Sequence, residues 1–225
     1  MKTRFKTLMM IPLLIFALAS CGAQPQSTKS TEGAEALALV PAWQNGAPDE
    51  ISALPDNLLT DDQKDLFEAA WRMYDGIGGC SQGYAPDYST KIEVPQEKYD
   101  WNLVYALDTG FATYEDFTTA LHAAFTDDYC DELLAYGGDA PGLIDQDGKL
   151  WSLEADRGKN IEYMYVTYSL VSSSDTEIIF NMIGHYAPLD GSGEWIKAQE
   201  YTQDYSIKME KASGGWRFAS FAVPY

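Results

Sequence analysis

Positive charge is scarce in this chain: fifteen Lys and Arg stand against thirty-four Asp and Glu among 225 residues, a formal charge of −19. That balance excludes electrostatic capture of nucleic acid or of an anionic membrane surface, and leaves basic partners, cations or simple solubility. Histidine is nearly absent, with only His122 and His185. There is no paired-histidine zinc helix, no nucleophile elbow, no glycine-rich phosphate loop and no cysteine pair at metal spacing. His122 falls within a predicted helix and His185 at the end of a predicted strand, where a structural imidazole is the ordinary reading. No catalytic residue, metal or cofactor is expected, and the chain is not expected to be an enzyme.

Long apolar runs are equally few. The run over residues 8–18 follows Lys2, Arg4 and Lys6 and is too short to span a bilayer. It ends in Leu18-Ala19-Ser20-Cys21. This resembles the lipobox of bacterial lipoproteins, in which small residues admit a peptidase before the cysteine and the cysteine sulfur carries a diacylglycerol. Residues 1–20 are thus expected to be a lipoprotein signal peptide, and Cys21 the lipidation site of an extracytoplasmic, membrane-anchored protein. Two acyl chains hold stably where one does not. Without the leader, twelve basic residues face thirty-four acidic ones, a formal −22.

Cysteine is limited to three positions. With Cys21 assigned to lipid, Cys80 and Cys130 are a candidate disulfide closing about fifty residues, worth about 4 kcal/mol in the chain-entropy model. Two separately buried thiols are the alternative.

Residues 22–57 are rich in Ala, Gln, Ser, Thr, Gly and Pro without sustained periodicity. The stretch 21–58 reads as an acylated cysteine and flexible tether, unless the apolar patch at 34–40 and Trp43 dock on the domain. A single domain is expected over 59–225. Thr60 with Gln63 predicts a capped helix carrying Leu66, Phe67, Ala70, Trp71 and Tyr74, ended by Gly76. Residues 77–97 read as a long connection. Trp101, Leu103, Tyr105 and Leu107 alternate as in a strand, with Trp101 expected in the core. Thr113 with Asp116 predicts a helix over 114–124, and Thr126 a second N-cap, with exit at Gly137 and Gly138. Asp147-Gly148 predicts a hairpin turn between two short strands over 143–151. Strands over 161–171, 176–186, 195–210 and 216–223 complete a meander. The expected class is α+β, with N-terminal helices packed on one face of a curved antiparallel sheet.

The succession Gly110-Phe-Ala-Thr-Tyr-Glu-Asp-Phe117, Phe125-Thr-Asp-Asp-Tyr129, Asp147-Gly-Lys-Leu-Trp151, Arg157-Gly158 and Gly215-Trp-Arg-Phe-Ala-Ser-Phe221 resembles the DL-endopeptidase inhibitor (inhibitor of cell separation) family of Gram-positive bacteria. The resemblance covers roughly residues 59–221, and a cystatin-like or NTF2-like outline would share it. It implies a cell-surface protein that binds and blocks peptidoglycan DL-endopeptidases, cysteine hydrolases of the NlpC/P60 class, by covering their groove with an acidic surface.

The segment 145–157 is the candidate contact loop, with Asp145, Asp147, Glu154, Asp156 and Arg157 around Trp151 as an exposed aromatic anchor. Asp145, Asp147 and Glu154 also match part of a calcium loop, but Leu143 holds the first ligand position, so a plain hairpin is expected. Tyr84, Tyr88 and Trp195 are further candidates for exposed aromatics. The alternative function is a small-molecule or glycan-binding lipoprotein with a pocket in the concave sheet, lined by Tyr163, Tyr165 and Trp216.

Overall fold

Helix formation begins where the caps are. A computed structural model describes residues 31–43, 46–78, 83–96, 101–155 and 160–224. Thr60 and Gln63 cap reciprocally, the Thr60 N–H donating to Gln63 Oε1 at 2.9 Å and the Gln63 N–H to Thr60 Oγ1 at 3.4 Å. They open α3 (Asp61–Gly78), which follows two short helices, α1 (Thr31–Leu37) and α2 (Asp49–Ser52). Helix α3 buries Leu66, Phe67, Ala70, Trp71, Met73 and Ile77. It passes through Gly76 instead of ending there. A Cβ at Gly76 would lie 2.3 Å from the Tyr84 ring, so this glycine serves a close approach. Helix α4 (Tyr114–Ala124) has the expected box, with the Asp116 N–H donating to Thr113 Oγ1 and the Thr113 N–H to Asp116 Oδ2. In α5 (Asp127–Leu134) Thr126 occupies the N-cap without a side-chain bond, and its own N–H donates to Phe218 O at 3.0 Å.

The class is α+β, and the strands fall into two antiparallel four-stranded sheets. The first, in the order β1-β2-β4-β3, comprises β1 (Pro86–Pro95), β2 (Asn102–Asp108), β3 (Leu143–Gln146) and β4 (Lys149–Leu153). Strand β1 lies within the expected connection. Prolines at both ends and a register break between Asp87 and Lys91 leave only Lys91 to Val94 alternating, too short a run to read. The second sheet is the meander β5 (Tyr163–Ser173), β6 (Glu177–Tyr186), β7 (Tyr201–Ala212) and β8 (Gly215–Ser220). Strand β7 starts later than expected because a 3-10 turn occupies Lys197–Gln199.

Helices α3, α4 and α5 lie against the second sheet at β8. Phe67 meets Phe180, Phe218 and Phe221 at centroid separations of 5.9, 6.1 and 5.6 Å, filling the space between helix and sheet with rings. A smaller cluster of Leu103, Tyr105 and Trp151 belongs to the first sheet, while Trp101 is 52% exposed, outside the core expected for it.

The segment expected as a tether is folded over the described residues 31–43 and 46–58. Helix α1 lies on α4, the side chains of Leu37, Val40, Trp43 and Ile51 lie against the core, and Leu54 is buried in it. Glu50 joins this strap to β5, accepting from the Tyr163 hydroxyl through Oε1 and from the Tyr168 hydroxyl through its carbonyl, both at 2.7 Å. Cys21 and Cys80 lie outside the described residues. Cys130 is a free, fully buried thiol whose Sγ is 3.9 Å from Phe125 O.

Candidate functional site

The β3–β4 hairpin is a short acidic projection on a rigid base. Asp147 and Gly148 both take positive φ, 56° and 73°, the conformation that a two-residue hairpin turn requires and that Asp and Gly tolerate best. Asp145 Oδ1 accepts from the Gly148 N–H at 2.9 Å, closing the turn from within. The Gly148 carbonyl accepts from the Tyr114 N–H at 2.9 Å, pinning the tip to the start of α4. Burial, and then the Asp145 charge, raises the pKa of the neighbouring Tyr114 phenol. Residues 145–149 are exposed, whereas Leu143, Leu150, Trp151 and Ser152 beneath them are buried.

Trp151 is therefore no exposed anchor. It is 8% exposed, lies against Leu103 and Tyr105, and donates its indole N–H to Gln146 O at 3.3 Å. The alternation of β4 points it into the cluster of its own sheet, and its role is to hold the turn. Tyr84 is also buried, its hydroxyl donating to Met73 O at 2.8 Å, while Tyr88 and Trp195 are exposed as expected. Glu154 grips Lys91 Nζ with both carboxylate oxygens, at 2.7 and 2.8 Å, tying the end of β4 to β1. Asp156 and Arg157 lie outside the described residues. The acidic group brought together at the tip is Asp145 and Asp147. Among the described residues no group of three or more His, Cys, Asp or Glu side chains is placed to hold a metal ion.

Behind the hairpin is a buried polar cluster that sequence reasoning missed. Asp108 accepts four bonds: at Oδ2 from the Tyr84 N–H and the Ser152 hydroxyl, both 2.6 Å, and at Oδ1 from the N–H groups of Ala85 (3.0 Å) and Gly110 (2.8 Å). Arg72 donates to Tyr84 O at 2.7 Å, its guanidinium 4.9 Å from the Tyr84 ring centroid and 5.2 Å from that of Trp43. Burial lowers the Arg72 pKa, and Tyr84, Asp75 and Asp108 oppose that shift. The only signal in the sequence was an aspartate ending a strand. With its hydroxyl committed to Asp108 and no imidazole beside it, Ser152 ties β4 to β2 within the first sheet, and Tyr84, bonded to Met73 O and Arg72, carries the link to α3.

The two histidines are elsewhere. His122 Nδ1 is 2.9 Å from Asp127 Oδ1 at the surface. His185 lies on the outer face of the second sheet, with Nδ1 2.6 Å from Glu200 Oε1, Nε2 2.9 Å from Thr167 Oγ1, and its ring stacked on Tyr165 at 4.2 Å. The hydrogen bond from His185 lowers the Glu200 pKa.

The pocket residues expected under the sheet do not converge. Tyr163 reaches the strap, Tyr165 stacks on His185, and Trp216 lines a groove of about 650 Å³ between α1, α3 and the β7–β8 turn, with Leu37, Asp62, Leu66 and Lys211. Among the described residues no helix is long and apolar enough to cross a membrane. No protein-family model and no curated protein sequence matches the chain.

Proposed function

We propose that this chain is an extracytoplasmic lipoprotein, acylated at Cys21, that binds and inhibits NlpC/P60-type peptidoglycan DL-endopeptidases and so modulates cell-wall turnover. The order of its motifs supports the reading. The observation that carries it is the pinned acidic tip: residues 145–149 project from a base fixed by Trp151, Leu150 and the Tyr114–Gly148 bond. A wedge already in one conformation loses little conformational entropy on entering a groove. Asp145 and Asp147, on a chain of formal charge −19, steer it toward a basic rim and make association salt-sensitive.

The test is a peptidoglycan-cleavage assay with a purified DL-endopeptidase, titrated with the full chain at low and at raised salt. The expected result is stoichiometric inhibition that weakens with salt, and that falls about tenfold in Asp145→Asn/Asp147→Asn, equivalent to about 1.4 kcal/mol. Asn keeps the acceptor for Gly148 and tolerates positive φ, so charge is removed while the turn stays. Absence of inhibition by the unaltered chain, or equal inhibition by the double variant, would overturn this assignment.

A small-molecule or glycan reading draws its support from the groove at Trp216, not from the sheet interior. Native mass spectrometry of the chain isolated from its host would reveal a retained ligand. A bare chain would count against that reading.

A further inference from the structure

The groove at Trp216 is one half of a longer cleft. A second cavity, of about 490 Å³, adjoins it, and the two share Thr60, Gln63, Lys211 and Trp216 in their walls. The larger half, of about 650 Å³, is walled by Ala34 and Leu37 of α1, Ala38 just after it, Leu66 and Ala69 of α3, and Ala123 of α4. Four of those six are alanines, whose short side chains leave apolar space unfilled. Its size is that of an ordinary small-molecule site. The smaller half is polar, with Asn57, Ser173, Ser174 and Asp175 alongside the buried Leu59 and Ile178.

Where the halves meet, hydrogen-bond donors stand uncommitted. Gln63 is 7% exposed and its Oε1 accepts from the Thr60 N–H, but its Nε2 makes no hydrogen bond among the described residues. A side-chain amide buried to that degree ordinarily has a partner for each end. Lys211 Nζ, in the same walls, has neither an ion pair nor a hydrogen bond among the described residues, and the side chains of Asn57 and Ser173 are likewise unbonded. Charge then selects the ligand. The cleft carries Asp62, Asp65 and Asp175 against Lys211 alone, in a chain of formal charge −19, and this opposes an anionic head group.

We propose that this cleft binds a neutral single-chain amphiphile of the monoacylglycerol class. The acyl chain lies in the alanine-walled half, where it removes apolar surface from water. The ester carbonyl sits at the junction and accepts from Gln63 Nε2 and Lys211 Nζ, two donors that an alkyl chain alone would leave unpaired. The glycerol hydroxyls meet Asn57 and Ser173 in the polar half. A fatty acid would satisfy the junction but would leave the polar half without a ligand and add a carboxylate among three others. The proposal rests on the small-molecule reading of the groove, and it stands or falls apart from endopeptidase inhibition.

The test is photolabelling of the full chain, held in nanodiscs, with a 1-monoacylglycerol that carries a diazirine in its acyl chain, and with a diazirine fatty acid of the same length. Labelled peptides are read by mass spectrometry. The monoacylglycerol is expected to label residues 31–38, α3 and the β7–β8 turn saturably, to be displaced by its unlabelled form, and to bind about tenfold more tightly than the fatty acid. Ala69→Trp fills the apolar half, and Gln63→Glu keeps the acceptor for Thr60 while removing the amide donor. Each is expected to weaken labelling about tenfold with the far-UV circular dichroism unchanged. Labelling that does not saturate, that is unchanged in both variants, or that is equal for the fatty acid would overturn the proposal. A different ligand retained in native mass spectrometry, with no labelling by the monoacylglycerol, would overturn it while leaving the small-molecule reading in place.

Discussion

Asp108 gathers donors from three separate parts of the chain. Tyr84 and Ala85 precede β1, Gly110 precedes α4, and Ser152 lies in β4. Asp108→Ala leaves those buried donors without an acceptor, and is expected to lower the unfolding free energy by about 3–5 kcal/mol in urea denaturation. Ser152→Ala removes one donor from a carboxylate that keeps three, and is expected to cost only about 1–2 kcal/mol. Equal effects would place the energy in the hydroxyl and not in the carboxylate. Cys130 is buried for a different reason, as a small apolar group on the inner face of α5. Burial, with the nearby Asp127 and Asp131 charges, pushes its thiol up to about 12, so thiolate is scarce at neutral pH and reagent has no access. Cys130 is expected to resist maleimide in the native protein and to react fully in guanidinium chloride, as read by peptide mass spectrometry.

The β3–β4 hairpin owes its shape to one buried side chain and one turn. Removing the Trp151 indole takes away the contacts with Leu103 and Tyr105 and the bond to Gln146 O. Trp151→Ala is expected to destabilise the chain by about 3–5 kcal/mol, and to blunt inhibition even where the protein remains folded. Thr113→Ala, which breaks the α4 capping box, is expected to cost about 1 kcal/mol in the same denaturation measurement and to leave the tip acidic. These elements also show what a sequence discloses. Caps and turns are local, so Thr60 with Gln63, Thr113 with Asp116, and Asp147-Gly148 announced α3, α4 and the hairpin. The alternation of β6 likewise set Ile178, Phe180 and Met182 on one face, and that face is the buried one, with Tyr186 also on it. Strand β1 was hidden because its bulge and terminal prolines erase the period. Which face of β4 is covered depends on β2, some forty residues earlier, so Trp151 read as an anchor. The Asp108 cluster has no local signature, since its four donors meet only in the folded chain.

The strap, residues 31–43 and 46–59, belongs to the stability of the whole molecule, because its apolar side chains lie in or against the main core. Leu37, Val40, Trp43, Ile51 and Leu54 all lie in or against the main core, and Glu50 receives the hydroxyls of Tyr163 and Tyr168. Burial first, then Glu50, raises the pKa of both phenols far above the ordinary tyrosine value. A folded-state pKa above the unfolded one means that unfolding releases protons at alkaline pH. The contribution is therefore fully present below about pH 10 and is lost as pH rises through the folded values. The urea midpoint of the full chain is expected to hold up to about pH 9 and to fall above about pH 10, with tyrosinate absorbance at 295 nm appearing together with unfolding. A chain beginning at Leu59 lacks six apolar side chains in or against the core, Leu58 among them, and the Glu50 acceptors. At about 1–2 kcal/mol for each partly buried side chain, the loss is on the order of 5 kcal/mol or more, comparable to the entire stability of many domains. That truncated chain is expected to melt at a far lower temperature, or not to fold, and any folded fraction should ionise Tyr163 and Tyr168 closer to pH 10. Equal melting of the truncated and full chains would show that the strap lies on a core complete without it, and that the domain begins at residue 59.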